Sequence, residues 1–432
     1  MNLSPKRFLP PQIALFGGAI AATATLSLFV PGLSTSVRAA LQDSPKAVLD
    51  EAWQIVNREY VDGTFNKVNW QQVRQKLLGK EYSSREEAYT ALKGALEQLG
   101  DPYTRFMDPE QYEALTSQTS GELSGVGLRL EEDKNTKVIK VVEPIENSPA
   151  IKAGLQVADK IVSIDGKPTK GMTVEEAAKL IRGQVGTEVT LKIERDGKGT
   201  FDVTMTRARI ELMAVRHSVK QEGKTRVGYI RLQEFSSHAA EQMQRAIEDL
   251  NNKKVDAFVL DLRGNPGGLL YASVDIARMW MDKGSIVKTV DRAGHDEELT
   301  NNRTALTKLP LAVLVDGNSA SASEILSGAL QDNGRATIIG TQTFGKALVQ
   351  SVHSLSDGSG LAVTIAHYYT PKGTDINHKG ITPDIKVDLN DEQKQKLVAN
   401  PNWVASQQDP CYSRAVQVLQ AKLINSPPMA AQ

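Results

Sequence analysis

Beyond about residue 224 the sequence alternates short, strongly apolar runs with segments of helical periodicity, and no other feature narrows the possible folds as far. Residues 227–232, 255–262, 311–316 and 336–340 read as strands, with helices expected at 238–251, 270–281 and 323–333. In the last of these Ile325, Leu326, Ala329 and Leu330 share one face. Strands that alternate with helices predict an α/β core built on parallel pairs. A further strand is expected at 361–369.

The rest of the chain has other textures. Residues 44–100 are helical in pattern: Val48, Ala52, Trp53, Ile55 and Val56 recur at helical spacing, and Ala88, Leu92, Ala95, Leu96 and Leu99 form a second stripe. Asp101 and Pro102 then make a turn. Residues 121–207 break instead into short strands around glycine turns, with one helix at 174–182. A length of 432 residues suits about three domains of roughly 150 residues each. The expected division is 1–40 as a signal peptide or N-terminal anchor, 41–116 as a helical segment, 117–206 as a strand-rich domain, 207–395 as the α/β core and 396–432 as a tail without a readable signal. The fold class is a multi-domain mixture of α/β and α+β.

Lys and Arg total 51 and so do Asp and Glu; with no basic cluster, that balance argues against nucleic acid as a partner. The single cysteine, Cys411, can form no intramolecular disulfide and excludes zinc patterns that need paired cysteines. At the N-terminus, Lys6 and Arg7 precede a charge-free run at 13–30, a break at Pro31 and Gly32, and small residues around Val37, Ala39 and Ala40. That is the pattern of an export signal. The run of 18 residues also approaches the lower limit for a membrane-spanning helix, so an uncleaved anchor is the competing reading. On either reading the remainder lies outside the cytoplasm, where a lone cysteine leaves stability to packing.

The strand order in 121–207, the loop Gly125-Val126-Gly127-Leu128, the run SPAIKAGLQVADKIVSIDG and the single long helix after it resemble a PDZ domain. The resemblance implies capture of an extended peptide at a sheet edge. Backbone N–H groups of the loop formed by Gly125, Val126, Gly127 and Leu128 would hold the terminal carboxylate. A Gly-x-Gly alone would be no more than a turn.

Two loops follow apolar strands of the core, where α/β proteins place their sites: Asp-Leu-Arg-Gly-Asn-Pro-Gly-Gly at 261–268 and Asp-Gly-Asn-Ser-Ala-Ser-Ala-Ser-Glu at 316–324. Neither has the spacing of a phosphate-binding loop. Ser321 stands at a strand-to-helix turn, as a nucleophile would. Yet Ser321-x-x-Glu324 is also a capping box, and spacing alone favours that simpler role. None of the six histidines lies in a hydrolase or metalloprotease motif, so no histidine base is nominated. A buried lysine can take that place, because desolvation disfavours its charged form. Lys346, just past a short apolar strand, is a candidate, although a lone lysine is ordinarily solvated.

The stretches SASASEILSGALQDNGRATIIGTQTFGKALVQ, DLRGNPGG and DGSGLAVTIAHYYTPKGTDINHKGITPD, with the PDZ-like insert and DPYTRFMDPEQY, resemble the tail-specific, carboxyl-terminal processing protease family over about residues 45–390. In that family a serine and a lysine 25 positions later form a catalytic dyad, which implies Ser321 and Lys346 here. Gln350 and Asp332 match positions that support the site, and Arg182 matches a basic position suited to gating. Gly267 and Ala322 are the expected backbone donors of the oxyanion hole. Two departures are local: Gly345-Lys346-Ala347 replaces Gly-Lys-Gly, and DLRGNPGG lacks the commoner double asparagine.

The resemblance implies an exported serine endopeptidase that cuts substrate proteins near their C-termini, with a PDZ domain holding the tail and with no metal or other cofactor. It implies the periplasm or the thylakoid lumen as location, membrane association through the N-terminal segment, and a photosystem II reaction-centre precursor as one candidate substrate. The alternative is a non-catalytic PDZ-type scaffold with an inactive core, against which the joint presence of Ser321 and Lys346 argues.

Overall fold

The computed structural model describes residues 44–133 and 136–425, so the signal or anchor expected at 1–40 lies outside the described residues. Residues up to Thr119 and those from Ala214 form one compact unit, and Ser120–Met213 form a second. Among the described residues no helix is long and apolar enough to cross a membrane.

The first unit begins with helices α1 (Pro45–Glu59), α2 (Trp70–Gly79) and α3 (Arg85–Glu97), then strand β1 (Arg105–Met107) and helix α4 (Pro109–Ser120). Ser84 caps α3 by accepting from the Glu87 N–H, and the expected stripe of Ala88, Leu92, Ala95 and Leu96 is the buried face. The apolar stripes of this segment form a cluster of their own that takes in Leu355, Leu361 and Val363 from later in the chain, so the segment belongs to the same compact unit as the α/β core.

The second unit holds β2 (Glu122–Gly125), β3 (Leu128–Glu132), β4 (Ile139–Pro144), α5 (Pro149–Lys152), β5 (Lys160–Ile164), β6 (Lys167–Pro168), α6 (Val174–Ile181), β7 (Glu188–Arg195), β8 (Gly199–Thr206) and β9 (Ala208–Glu211). The main sheet runs β3-β4-β5-β7-β8, with β6 on β5, while β2 pairs with β9. Helix α6 starts at a capping box of Thr173 and Glu176 and buries Ala177 and Ile181 against Val189, Leu191 and Ile193.

The first unit resumes with β10 (Val215–Glu222), β11 (Thr225–Leu232), α7 (Ala239–Asn252), β12 (Ala257–Asp261), α8 (Leu270–Trp280), β13 (Ser285–Asp291) and β14 (Asp296–Thr300). It continues with β15 (Leu311–Val315), α9 (Ala322–Asp332), β16 (Ala336–Gly340), β17 (Leu348–Ser354), β18 (Gly360–Tyr369), β19 (Ile385–Lys386), α10 (Asp391–Ala399) and α11 (Pro410–Asn425). The central sheet has the order β10-β11-β12-β15-β16-β19, and from β11 onward the pairs are parallel, as the strand–helix alternation predicts.

Every residue of β12 and β15 is buried. One face packs on α7, α8 and α9. The other is covered by Tyr412, Ala415 and Leu419 of α11, so the tail that carried no readable signal supplies the missing layer. A second, antiparallel sheet runs β1-β18-β13-β14 with β17 on β18, and β18 is the strand expected at 361–369. It matters because β1 and β17 flank the candidate site.

Candidate active site

Ser321 follows β15 and stands at the N-cap of α9 with φ 55° and ψ −115°. An L-residue at positive φ stores about 1–3 kcal/mol of strain and persists only where its surroundings dictate it. Here Glu324 dictates it. Its Oε2 accepts from the Ser321 N–H at 2.9 Å, the carboxylate half of the expected capping box. The Glu324 N–H donates to the Ser321 carbonyl at 2.8 Å.

The same carboxylate, fully buried, also fixes the loop that carries Lys346. Glu324 Oε1 accepts from the Thr343 hydroxyl at 2.6 Å and the Gly345 N–H at 2.7 Å, and Oε2 accepts from the Lys346 N–H at 2.9 Å. Tyr368 adds a second tie: its hydroxyl bonds to the Lys346 carbonyl and lies 3.2 Å from that of Ser321. The Lys346 amine sits 4.7 Å from the centre of the Tyr103 ring. Burial pushes it down to about 8, and the Arg105 charge adds to that, against the opposing pull of Asp101 and Glu324. A lysine so placed is substantially neutral in mildly alkaline solution.

Ser321, Ala322, Gly267, Lys346 and Gln350 line one cavity of about 190 Å³. Five of the residues singled out in the sequence are thus brought together, though not all in the expected way. The Gly267 N–H donates to Asn265 Oδ1 at 2.8 Å, so as it stands it is not free to meet an oxyanion. What Gly267 provides is close approach. At φ 104°, a Cβ there would lie 2.9 Å from Ser321 Cβ and 3.0 Å from the Ala322 nitrogen. Gln350 directs its amide to the Thr364 hydroxyl at 3.4 Å rather than to the lysine amine.

Asp332 is not in the cavity wall. It closes the far end of α9, eleven positions from Ser321, and at 1.5 Å per residue that is about 16 Å along the axis. There its carboxylate accepts from the Lys372 N–H at 2.9 Å, so it supports a neighbouring turn.

In the second unit, the loop after β2 is shaped by Gly127, whose φ of 81° and close packing on Ser148 leave no room for a Cβ. The Val126 and Gly127 carbonyls accept from Ala150 and Ile145, while their N–H groups take no partner among the described residues. Gly125 ends β2, and Leu128 opens β3. Arg182 is the exposed C-cap of α6.

Sequence reasoning missed the second set of bonds to Glu324, made with residues 19 to 22 positions further on. It also missed Tyr103 and Tyr368, which lie inside DPYTRFMDPEQY and DGSGLAVTIAHYYTPKGTDINHKGITPD without a spacing that singles them out.

Residues 226–387 match Peptidase family S41, and residues 140–195, inside the second unit, match a PDZ domain. The carboxyl-terminal-processing protease of Picosynechococcus sp. is 46% identical over 338 residues, covering 78% of this chain and 82% of that protein. This chain belongs to the carboxyl-terminal-processing protease family. A relative of the same name from Synechocystis sp. is 45% identical over 348 residues, 80% of this chain and 81% of the other. Among solved structures, a photosystem II D1 C-terminal processing protease superposes with a TM-score of 0.52 at 37% identity, over 80% of this chain and 93% of that one. The protease is a serine-type peptidase with a PDZ domain, N-terminal helices and a mixed α/β core, as its motifs imply. The reading of an inactive scaffold loses its footing.

Proposed function

We propose that Ser321 and Lys346 are the catalytic dyad of this protease. The carrying observation is a serine at the head of α9 in the same cavity as a buried lysine whose amine is pushed down to about 8. Neutral Lys346 takes the hydroxyl proton as Ser321 attacks the scissile carbonyl and returns it to the departing amine. Water, deprotonated by the same amine, then releases the acyl group. The Ala322 N–H, at the positive end of α9, is the first oxyanion donor. The Gly267 N–H would join it by exchanging Asn265 for the substrate. Gln350 is assigned a place in the wall beside the amine, not a bond to it.

The test is a pH profile. Only the neutral amine is active, so each unit below about 8 leaves tenfold less of it. Initial rates on a peptide with a free C-terminus should rise about tenfold from pH 6 to 7 and level off above about 9. A maximum near pH 6 would indicate a histidine or carboxylate base.

Substrate capture is assigned to the loop Gly125, Val126, Gly127 and Leu128, in which the Val126 and Gly127 N–H groups, without a partner among the described residues, suit a carboxylate. Arg182 is the candidate for coupling capture to cleavage. Two peptides of one sequence, one ending in a carboxylate and one amidated, should differ at least about tenfold in kcat/KM, because tethering raises the effective concentration of the scissile bond. Equal rates would remove the loop from the mechanism. The cyanobacterial and chloroplastic relatives, and the solved protease named for photosystem II D1, support a reaction-centre precursor extension as substrate. They support the thylakoid lumen or periplasm as the site of action, with residues 1–40 as signal or anchor. Mass spectrometry of that extension after incubation with the purified protein checks the assignment.

A further inference from the structure

One buried charge cluster, which the dyad chemistry leaves unused, lies behind the turn at residues 264–268. Asp261, at the end of β12, and Asp409, immediately before α11, are both fully buried, and the Arg263 guanidinium is shared between them. Its Nε and Nη2 donate to Asp261 at 2.9 and 2.6 Å, and its Nη1 and Nη2 to Asp409 at 3.0 and 2.7 Å. Arg231 Nη1 lies 3.1 Å from Asp261, and its Nη2 donates to the Arg263 carbonyl at 2.8 Å. Two carboxylates are thereby balanced by two guanidiniums. Burial would raise the Asp261 carboxyl, but Arg263 and Arg231 outweigh it and hold it at about 2.

The turn that begins at Arg263 is tied forward to the Ser321 turn. The Gly264 N–H donates to Asp316 Oδ1 at 2.9 Å. The Asn265 carbonyl accepts from the Ala320 N–H at 3.0 Å and from the Ser323 hydroxyl at 2.9 Å. Asp409 has a second task, accepting from the Cys411 and Tyr412 N–H groups at 3.1 and 3.3 Å to cap α11. A cap needs only an acceptor, and serine or asparagine would serve. A paired, charged grip on a guanidinium needs a carboxylate.

We propose that Asp409 is a positioning residue for peptide hydrolysis: by gripping Arg263 it fixes the 264–268 turn, and with it the oxyanion site, against the Ser321 turn. The C-terminal helix is through this residue part of the catalytic apparatus. The proposal rests on Ser321 as nucleophile. Without Asp409, Arg263 is left buried with one carboxylate instead of two and is free to drag the turn with it.

The experiment compares full-length wild type with Asp409→Ser, Asp409→Asn and Ser321→Ala. It measures kcat and KM per functional site, thermal unfolding, and the affinity of a peptide boronate, which mimics the tetrahedral state. Asp409→Ser keeps the cap and loses the grip. It should melt well above the assay temperature yet lose about 30- to 100-fold in kcat, with KM within about threefold. Boronate affinity should fall in parallel with kcat/KM while affinity for the product peptide holds, a split that a role in stability alone would not produce. Asp409→Asn should fall between, and it decides the matter if the serine variant unfolds. Cleavage lost in Ser321→Ala but kept within twofold in the folded Asp409 variants overturns this proposal alone. Cleavage that survives Ser321→Ala overturns the dyad and this proposal with it.

Discussion

Ser321→Ala and Lys346→Ala each reduce kcat/KM by at least about a thousandfold, and the double variant is no worse than the weaker single one. Groups that act as a unit lose their whole effect when either is removed, so the two losses do not add. Neither change should disturb the fold. The loop that holds Lys346 is anchored through its backbone N–H to Glu324. Alanine at 321 even retains the Glu324 bond to the residue's own N–H. Rates read by mass spectrometry, beside melting curves within a few degrees of wild type, check both halves. A double variant markedly slower than either single would mean that the two residues work independently, against a dyad.

Glu324→Ala should remove both stability and activity. Four donors, the N–H groups of Ser321, Gly345 and Lys346 and the Thr343 hydroxyl, converge on this one buried carboxylate. Each donor left without a partner costs about 1–3 kcal/mol, so a loss of roughly 4 kcal/mol or more is expected even if some find water. Activity should fall more than about a hundredfold, because the strained Ser321 backbone and the lysine loop lose their common anchor. Glutamine separates charge from geometry. Its amide keeps an acceptor for one pair of donors and turns an NH2 on the other, so Glu324→Gln should remain damaged though less than alanine. Thermal melts and rates per functional site read the two effects. Wild-type values for Glu324→Ala would show that the Ser321 turn holds its conformation by other means.

These two predictions differ in how far the sequence alone supports them. Ser321 and Lys346 are visible as a pair only through a family spacing; nothing local distinguishes that lysine from a solvated one. Glu324 is legible as a cap from its position three residues after Ser321, but its bonds to residues 343–346 arise from the packing of a distant loop and leave no local trace. The central strands are legible because both faces of β12 and β15 are buried, which forces unbroken apolar runs. The β13–β14 hairpin is half-exposed and mixes polar with apolar residues, so its pattern is weak. Helix α11 does carry a periodic signal, since Cys411, Tyr412, Ala415, Val416 and Leu419 recur at helical spacing, but the prolines around it obscure that signal. Asp332 shares a helix with Ser321 but lies at its other end, a separation that the family pattern does not convey.

The closure of the central sheet by its last helix also bears on biogenesis. A polypeptide that emerges N-terminus first has β11, β12, β15 and β16 available to pair long before α11 appears. Until then the face formed by Val227, Val259, Ala312 and Leu314 has nothing to cover it. Such a half-finished parallel sheet is sticky and slow to settle, the kind of intermediate that chaperones hold. It is also a proteolytic machine delivered unassembled. The residues that would cut a neighbouring chain, at 321 and 346, are synthesised before the helix at Pro410–Asn425 that completes their platform, so maturation is timed by the chain's own order.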